Sequence, residues 1–124
     1  MNTDRELLEL AAKAAEIQIQ WHRWPSTARE TAYVPNGDFS EQHGVCYSPW
    51  NPLTDDGDAL RLAVKLNMGI SIPVMAAPHA RVDVITFRNS GVNVMESCNN
   101  DPYAATRRAI VRAAAEIGRN MKND

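Results

Sequence analysis

The chain is short of the residues that hold metals and link chains. Its 124 residues include two cysteines, Cys46 and Cys98, and three histidines, His22, His43 and His79. His43-Gly44-Val45-Cys46 offers two zinc ligands where a structural site takes four, and the other candidates show no paired spacing. No metal and no cofactor is therefore expected. No apolar run approaches the roughly 18 residues needed to cross a bilayer, so no membrane partner is expected. Charge of one sign is also missing. The net charge of −2 gives no global basic field for nucleic acid or anionic lipid. Met1-Asn2-Thr3-Asp4-Arg5-Glu6 lacks the charged-then-apolar plan of an export signal. The expected location is the cytoplasm, with both thiols free. No nucleophile elbow, phosphate loop or zinc-protease motif is present, and no catalytic residue is assigned.

What remains is an ordinary globular mix, 44% hydrophobic and 23% charged, long enough for one domain spanning residues 1–124. Thr3-Asp4-Arg5-Glu6 is a capping box. Leu7, Leu10, Ala11 and Ala14 follow at helical spacing. The period then changes: Ile17, Ile19 and Trp21 alternate with Gln18, Gln20 and His22, which predicts a strand from Ile17. A helix continuing to Gln20 is the rival reading. Residues 23–53 show no sustained period, broken by Pro25, Pro35, Pro49 and Pro52 and by the turn chemistry of Asn36-Gly37-Asp38. A hairpin pairing Thr31–Val34 with Val45–Tyr47 would account for part of this stretch.

Thr54 or Asp55 caps a second helix, with Asp55, Asp56 and Asp58 in its first turn, where the helix dipole favours negative charge. The three aspartates could also hold a hard cation, but capping explains them without one. This helix is apolar around most of its circumference, which predicts burial on more than one side. Gly69 lets the chain leave it. Ile70, Ile72 and Val74 alternate as a strand that Pro73 places at an edge or at a strand end. Residues 81–97 read as an antiparallel hairpin around Arg88-Asn89-Ser90-Gly91. Asp101-Pro102 starts a last helix. Tyr103, Thr106, Ile110, Ala113, Ala114, Ile117 and Met121 share one face of it, and Arg108, Arg112 and Arg119 the opposite one.

Trp50-Asn51-Pro52-Leu53-Thr54-Asp55-Asp56-Gly57-Asp58-Ala59-Leu60-Arg61-Leu62-Ala63-Val64-Lys65-Leu66 resembles a signature of the phage ABA-sandwich domain family, a group of small phage and prophage proteins. Leu8–Ala15 resembles that family's opening helix, and Asp101–Ile110 its closing helix. A glycine is the family's expectation at the end of the first helix, where this chain has Glu16. The resemblance implies helix, sheet and helix layers and a phage or prophage origin. It implies no activity and no catalytic residues.

The expected fold class is α+β, a layered helix/sheet/helix sandwich. Three helices surround a small mixed or antiparallel sheet of about four strands. The leading functional expectation is an uncharacterised accessory protein that binds a host or phage macromolecule in the bacterial cytoplasm, with a possible host-takeover or anti-defence role. Six aromatics fall between residues 21 and 50. Trp21 and Trp50 flank regular elements and are assigned to the core. Trp24 and Phe39 sit beside proline and turn residues and are the candidate partner-binding aromatics. Arg108, Arg112 and Arg119 are the candidate basic contacts. Residues 101–122 hold five basic and two acidic residues, an asymmetry that could dock phosphates, so nucleic-acid binding is the second expectation. A small hydrolase with an unrecognised site is the third. A homodimer is compatible with a small apolar-rich domain.

Overall fold

The computed structural model describes residues 3–23, 30–42, 44–73, 80–87 and 91–121. The element order is α1 (Asp4–Ala14), β1 (Gln20–Arg23), β2 (Glu30–Ser40), β3 (Gly44–Pro49), α2 (Asp56–Lys65), β4 (Met68–Ser71), β5 (Arg81–Thr86), β6 (Asn93–Ser97) and α3 (Pro102–Asn120). The class is α+β. In place of one sheet of about four strands there are two three-stranded antiparallel sheets, ordered β1-β2-β3 and β4-β5-β6. The missing strands come from residues 30–49. Their periodicity is interrupted by Pro35-Asn36-Gly37-Asp38, which lies inside β2 and not at a hairpin tip. There the register shifts between Pro35, opposite Tyr47, and Phe39, opposite Val45. Asn36 accepts from the Asp38 N–H and donates to Ser48 Oγ, and Gly37 takes φ +89°, so the extra residues form a bulge.

Helix α1 starts where the capping box predicts, Thr3 accepting from the Glu6 N–H. It ends at Ala14, and the strand that follows begins at Gln20, three residues later than the alternation suggests. Glu16 explains the delay. It stands in the left-handed region at φ +58°, with its N–H on Lys13 O and the Ile17 N–H on Ala12 O. These are the two bonds of a Schellman termination, which normally uses glycine. Helix α2 also ends on a left-handed residue, Asn67 at φ +54°, whose N–H meets Val64 O, and Gly69 lies inside β4 instead, opposite Ile85. A methyl group on Gly69 would come within 3.2 Å of the Ile85 side chain, so the glycine makes room across the ladder.

The core is built on α3. Nine of its residues are buried, including Ala109, Val111, Ala113, Ala114 and Ile117, and they cover most of its circumference, leaving the stripe of Arg108, Arg112 and Arg119 half-exposed. It packs against α1, α2, β5 and β6, which is why its apolar surface extends beyond the single face read from the sequence. Tyr103, placed on that face, is exposed. The contact with α1 is the tightest: a Cβ on Gly118 would fall 2.0 Å from the Leu10 carbonyl oxygen. Helix α2 shows the reverse. It buries Ala59, Leu62, Ala63 and Leu66 but leaves Leu60 and Val64 in solvent, so it is covered on one side only.

Each sheet turns one face to the helices and one to solvent, so neither is enclosed in a helix/sheet/helix sandwich. On β4-β5-β6 the inner residues Val82, Val84, Thr86 and Val94 are buried, and Ile85, Phe87 and Met95 lie outside. On β1-β2-β3 only Ala32 is fully buried. Trp21 and Val34 pack partly against the core beside it. Trp50 follows β3, donates its N–H to Ala32 O and is buried, as its assignment to the core requires. No helix of the described residues is long and apolar enough to cross a membrane.

Candidate partner-binding surfaces

Directly opposed residues of an antiparallel ladder share a face, and residues two apart along a strand share it as well. Applied to β1-β2-β3, the register puts His22, Tyr33, Pro35, Phe39, Val45 and Tyr47 together on the outer face. The rings of His22 and Tyr33 meet edge to face, 5.5 Å apart between centroids. Phe39 is 74% exposed, Val45 50% and Tyr47 42%. An isolated exposed hydrophobe is unremarkable, but a contiguous aromatic face is the composition of a protein interface. The inner face is the one tied down. Arg5 lies over the Trp21 ring at 4.7 Å and forms ion pairs with Glu9 and Glu30.

Of the residues chosen from sequence, Phe39 lies on this face and Trp24 falls outside the described residues. The three arginines are elsewhere and already engaged. Arg108 reaches Asp4 of α1 at 3.5 Å. Arg112 donates to Met95 O and to the Glu96 carboxylate of β6. Arg119 pairs with Glu116 one turn before it. These contacts join α3 to α1, to β6 and to itself. Val45 and Tyr47 were missed, although a signal was there: Val45, Tyr47 and Pro49 alternate with the smaller Gly44, Cys46 and Ser48. The exposure pattern follows the same period of two.

The aspartates that opened α2 serve the fold. Asp55 accepts from the Asp58 N–H, and Asp56 pairs with Arg107 at 2.6 Å. Asp58 is buried, accepts from the Asn51 N–H at 2.9 Å and holds Arg61 at 2.6 Å. Among the described residues no three His, Cys, Asp or Glu side chains converge as a metal site. Cys46 is half-buried in β3 and Cys98 is buried; His43 lies outside the described residues.

Hollows open onto solvent on both sides of α2. A cleft of about 700 Å³ lies between β1-β2-β3 and α2, walled by Ile17, Val34, Trp50 and Leu62, with Arg61 and Lys65 at α2. A smaller one, about 310 Å³, lies between α2, α3 and the end of β4, and its lining is almost wholly apolar. On the outer face of β4-β5-β6 the Asp83 Oδ1 is buried without a hydrogen-bond partner among the described residues. No family model, curated protein or solved structure matches the chain.

Proposed function

We propose that the chain is a phage or prophage accessory protein that works by binding a host or phage protein through the outer face of β1-β2-β3. The observation that carries this reading is the shared face of Phe39, Val45 and Tyr47 beside the His22–Tyr33 pair. Nothing in the fold requires these side chains outside. Aromatic residues, with Met and Arg, are enriched at the cores of protein interfaces. The phage origin rests on the resemblance of residues 8–15, 50–66 and 101–110. Action on the host, as takeover or anti-defence, belongs to the same reading. Nucleic-acid binding through Arg108, Arg112 and Arg119 is the second reading. It is weakened by the carboxylates and carbonyls those guanidinium groups already contact.

The test is paired affinity purification from a host carrying the induced phage, with wild type and a Phe39→Ser, Tyr47→Ser variant of unchanged circular dichroism. A protein retained by wild type and lost from the variant supports the reading. Retention equal in both overturns it. Loss on nuclease treatment, and in an Arg108→Gln, Arg112→Gln variant, transfers the function to the second reading.

A further inference from the structure

Strand β4 is paired with β5 on one side, and among the described residues no strand lies along the other. An open edge presents unpaired N–H and C=O groups, and proteins usually guard it with charge or proline. The other edge strands follow that rule: Arg23 in β1, Pro49 in β3 and Glu96 in β6. Met68-Gly69-Ile70-Ser71 has neither. Pro73, two residues on, limits any added pairing to a single short ladder.

The surface beside this edge is apolar. Leu60, Ile72 and Tyr103 surround the 310 Å³ hollow, with Ile70 and Ile110 lining it. Leu60 is 61% exposed, Ile72 62%, Tyr103 70%, and Val64, one turn along α2 from Leu60, 67%. The charged groups at the hollow, Asp56 and Arg107, neutralise one another. Ile70 of β4 and Ile72, the residue just past its end, both line the hollow, so the open edge and the apolar surface are continuous.

We propose that this surface binds a second copy of the chain, forming a two-fold homodimer in which β4 pairs antiparallel with its counterpart. Antiparallel pairing of a strand with itself is two-fold by construction, and a two-fold axis sets one patch against the same patch. An apolar patch with its charges internally matched is complementary to itself and offers no countercharge to a charged partner. The two sheets become one of six strands, and Leu60 and Val64 meet their equivalents alongside it. A stable interface takes ~800 Å² from each partner. Four large side chains, each more than three-fifths exposed, lie beside the strand edge to contribute to it.

Sedimentation velocity on the full chain, from micromolar to millimolar concentration, tests this directly. Wild type should pass reversibly from one chain to two. Dilution should release the Met68–Ser71 amides to hydrogen exchange. Leu60→Glu and Tyr103→Glu replace exposed residues, and each should weaken association at least thirtyfold, about the effect of losing an interface hot spot. Their near-ultraviolet circular dichroism should stay unchanged. Phe39→Ser should leave association unaltered. A single-chain mass up to millimolar concentration overturns the proposal. So does a dimer that survives both glutamate variants, or one that Phe39→Ser dissolves. The aromatic face is probed by different residues, so failure here leaves the proposed function standing.

Discussion

The two sheets have the same number of strands and the same antiparallel order, yet they are held differently. Sheet β4-β5-β6 seats Val82, Val84, Thr86 and Val94 on α3, all buried. Sheet β1-β2-β3 buries only Ala32 completely. It is held to the helices by Trp21 under Arg5, by the Arg5–Glu30 ion pair, by the buried Trp50, and by the Asp58 carboxylate on the Asn51 N–H. One sheet is part of the core; the other is strapped to it. Local opening free energy follows buried apolar contact, and surfaces that bind are drawn from the less stable end. The strapped sheet is also the one with the aromatic outer face.

The contrast predicts effects of graded size. Gly118→Ala should be the largest, because the added methyl meets backbone and not a movable side chain. Helix α3 would have to retreat from α1, and both sheets depend on that helix pair. We expect a loss of about 3 kcal/mol in urea unfolding, overpacking outweighing the gain in helix propensity. A variant as stable as wild type would show that the helix contact is looser than drawn. Next, Val84→Ala should cost about 2 kcal/mol through the cavity it leaves. Val45→Ala, on the outer face of the other sheet, should cost less than about 0.5 kcal/mol. Equal costs would erase the distinction between the sheets.

Asp58→Ala probes the strap itself. It removes a buried carboxylate that accepts from backbone and pairs with Arg61, for an expected loss of about 1.5 kcal/mol. Its signature should be regional. Amides of β2 and β3 should lose protection in hydrogen exchange while those of β5 keep theirs. Uniform loss across both sheets would mean that they unfold as one unit.

The same contrast governs what could be read in advance. The β5–β6 hairpin was legible because a strand with one buried face must alternate, and Val82, Val84, Val94 do so against Asp83, Ile85, Met95. The three helices were legible from Thr3, Asp55 and Asp101, each of which accepts from the backbone N–H that its motif predicts. The β1-β2-β3 sheet was only partly legible. A hairpin was expected there, but its register differs: Tyr47 and Val45 pair with Pro35 and Phe39, not with Thr31–Val34. Its full length was hidden by a bulge of residues that usually signal a turn, and by a face with too little burial to impose a period. The candidate surface suffered for the same reason. Phe39 was found because turn residues flank it, whereas Val45 and Tyr47 belong to a strand that was not fully seen. Leu60 and Val64 were misplaced because apolar content around α2 implied cover that no neighbouring element provides.

The last prediction concerns the joint between the helices and the weaker sheet. Glu16 occupies a left-handed position that costs an L-residue with a side chain roughly 1–2 kcal/mol. Asn67 tolerates the same conformation better because its short amide suits it. Glycine at position 16 would relieve that strain but would loosen the unfolded chain, so the two effects partly cancel. Glu16→Gly should therefore raise stability by about 0.5–1 kcal/mol, and the melting temperature with it. The Schellman bonds from Glu16 and Ile17 fix where α1 stops and how the chain approaches β1. The gain should thus appear as slower exchange at the end of α1, with β5 and β6 unchanged. A drop in stability would mean that the Glu16 side chain contributes more at this joint than its backbone strain removes.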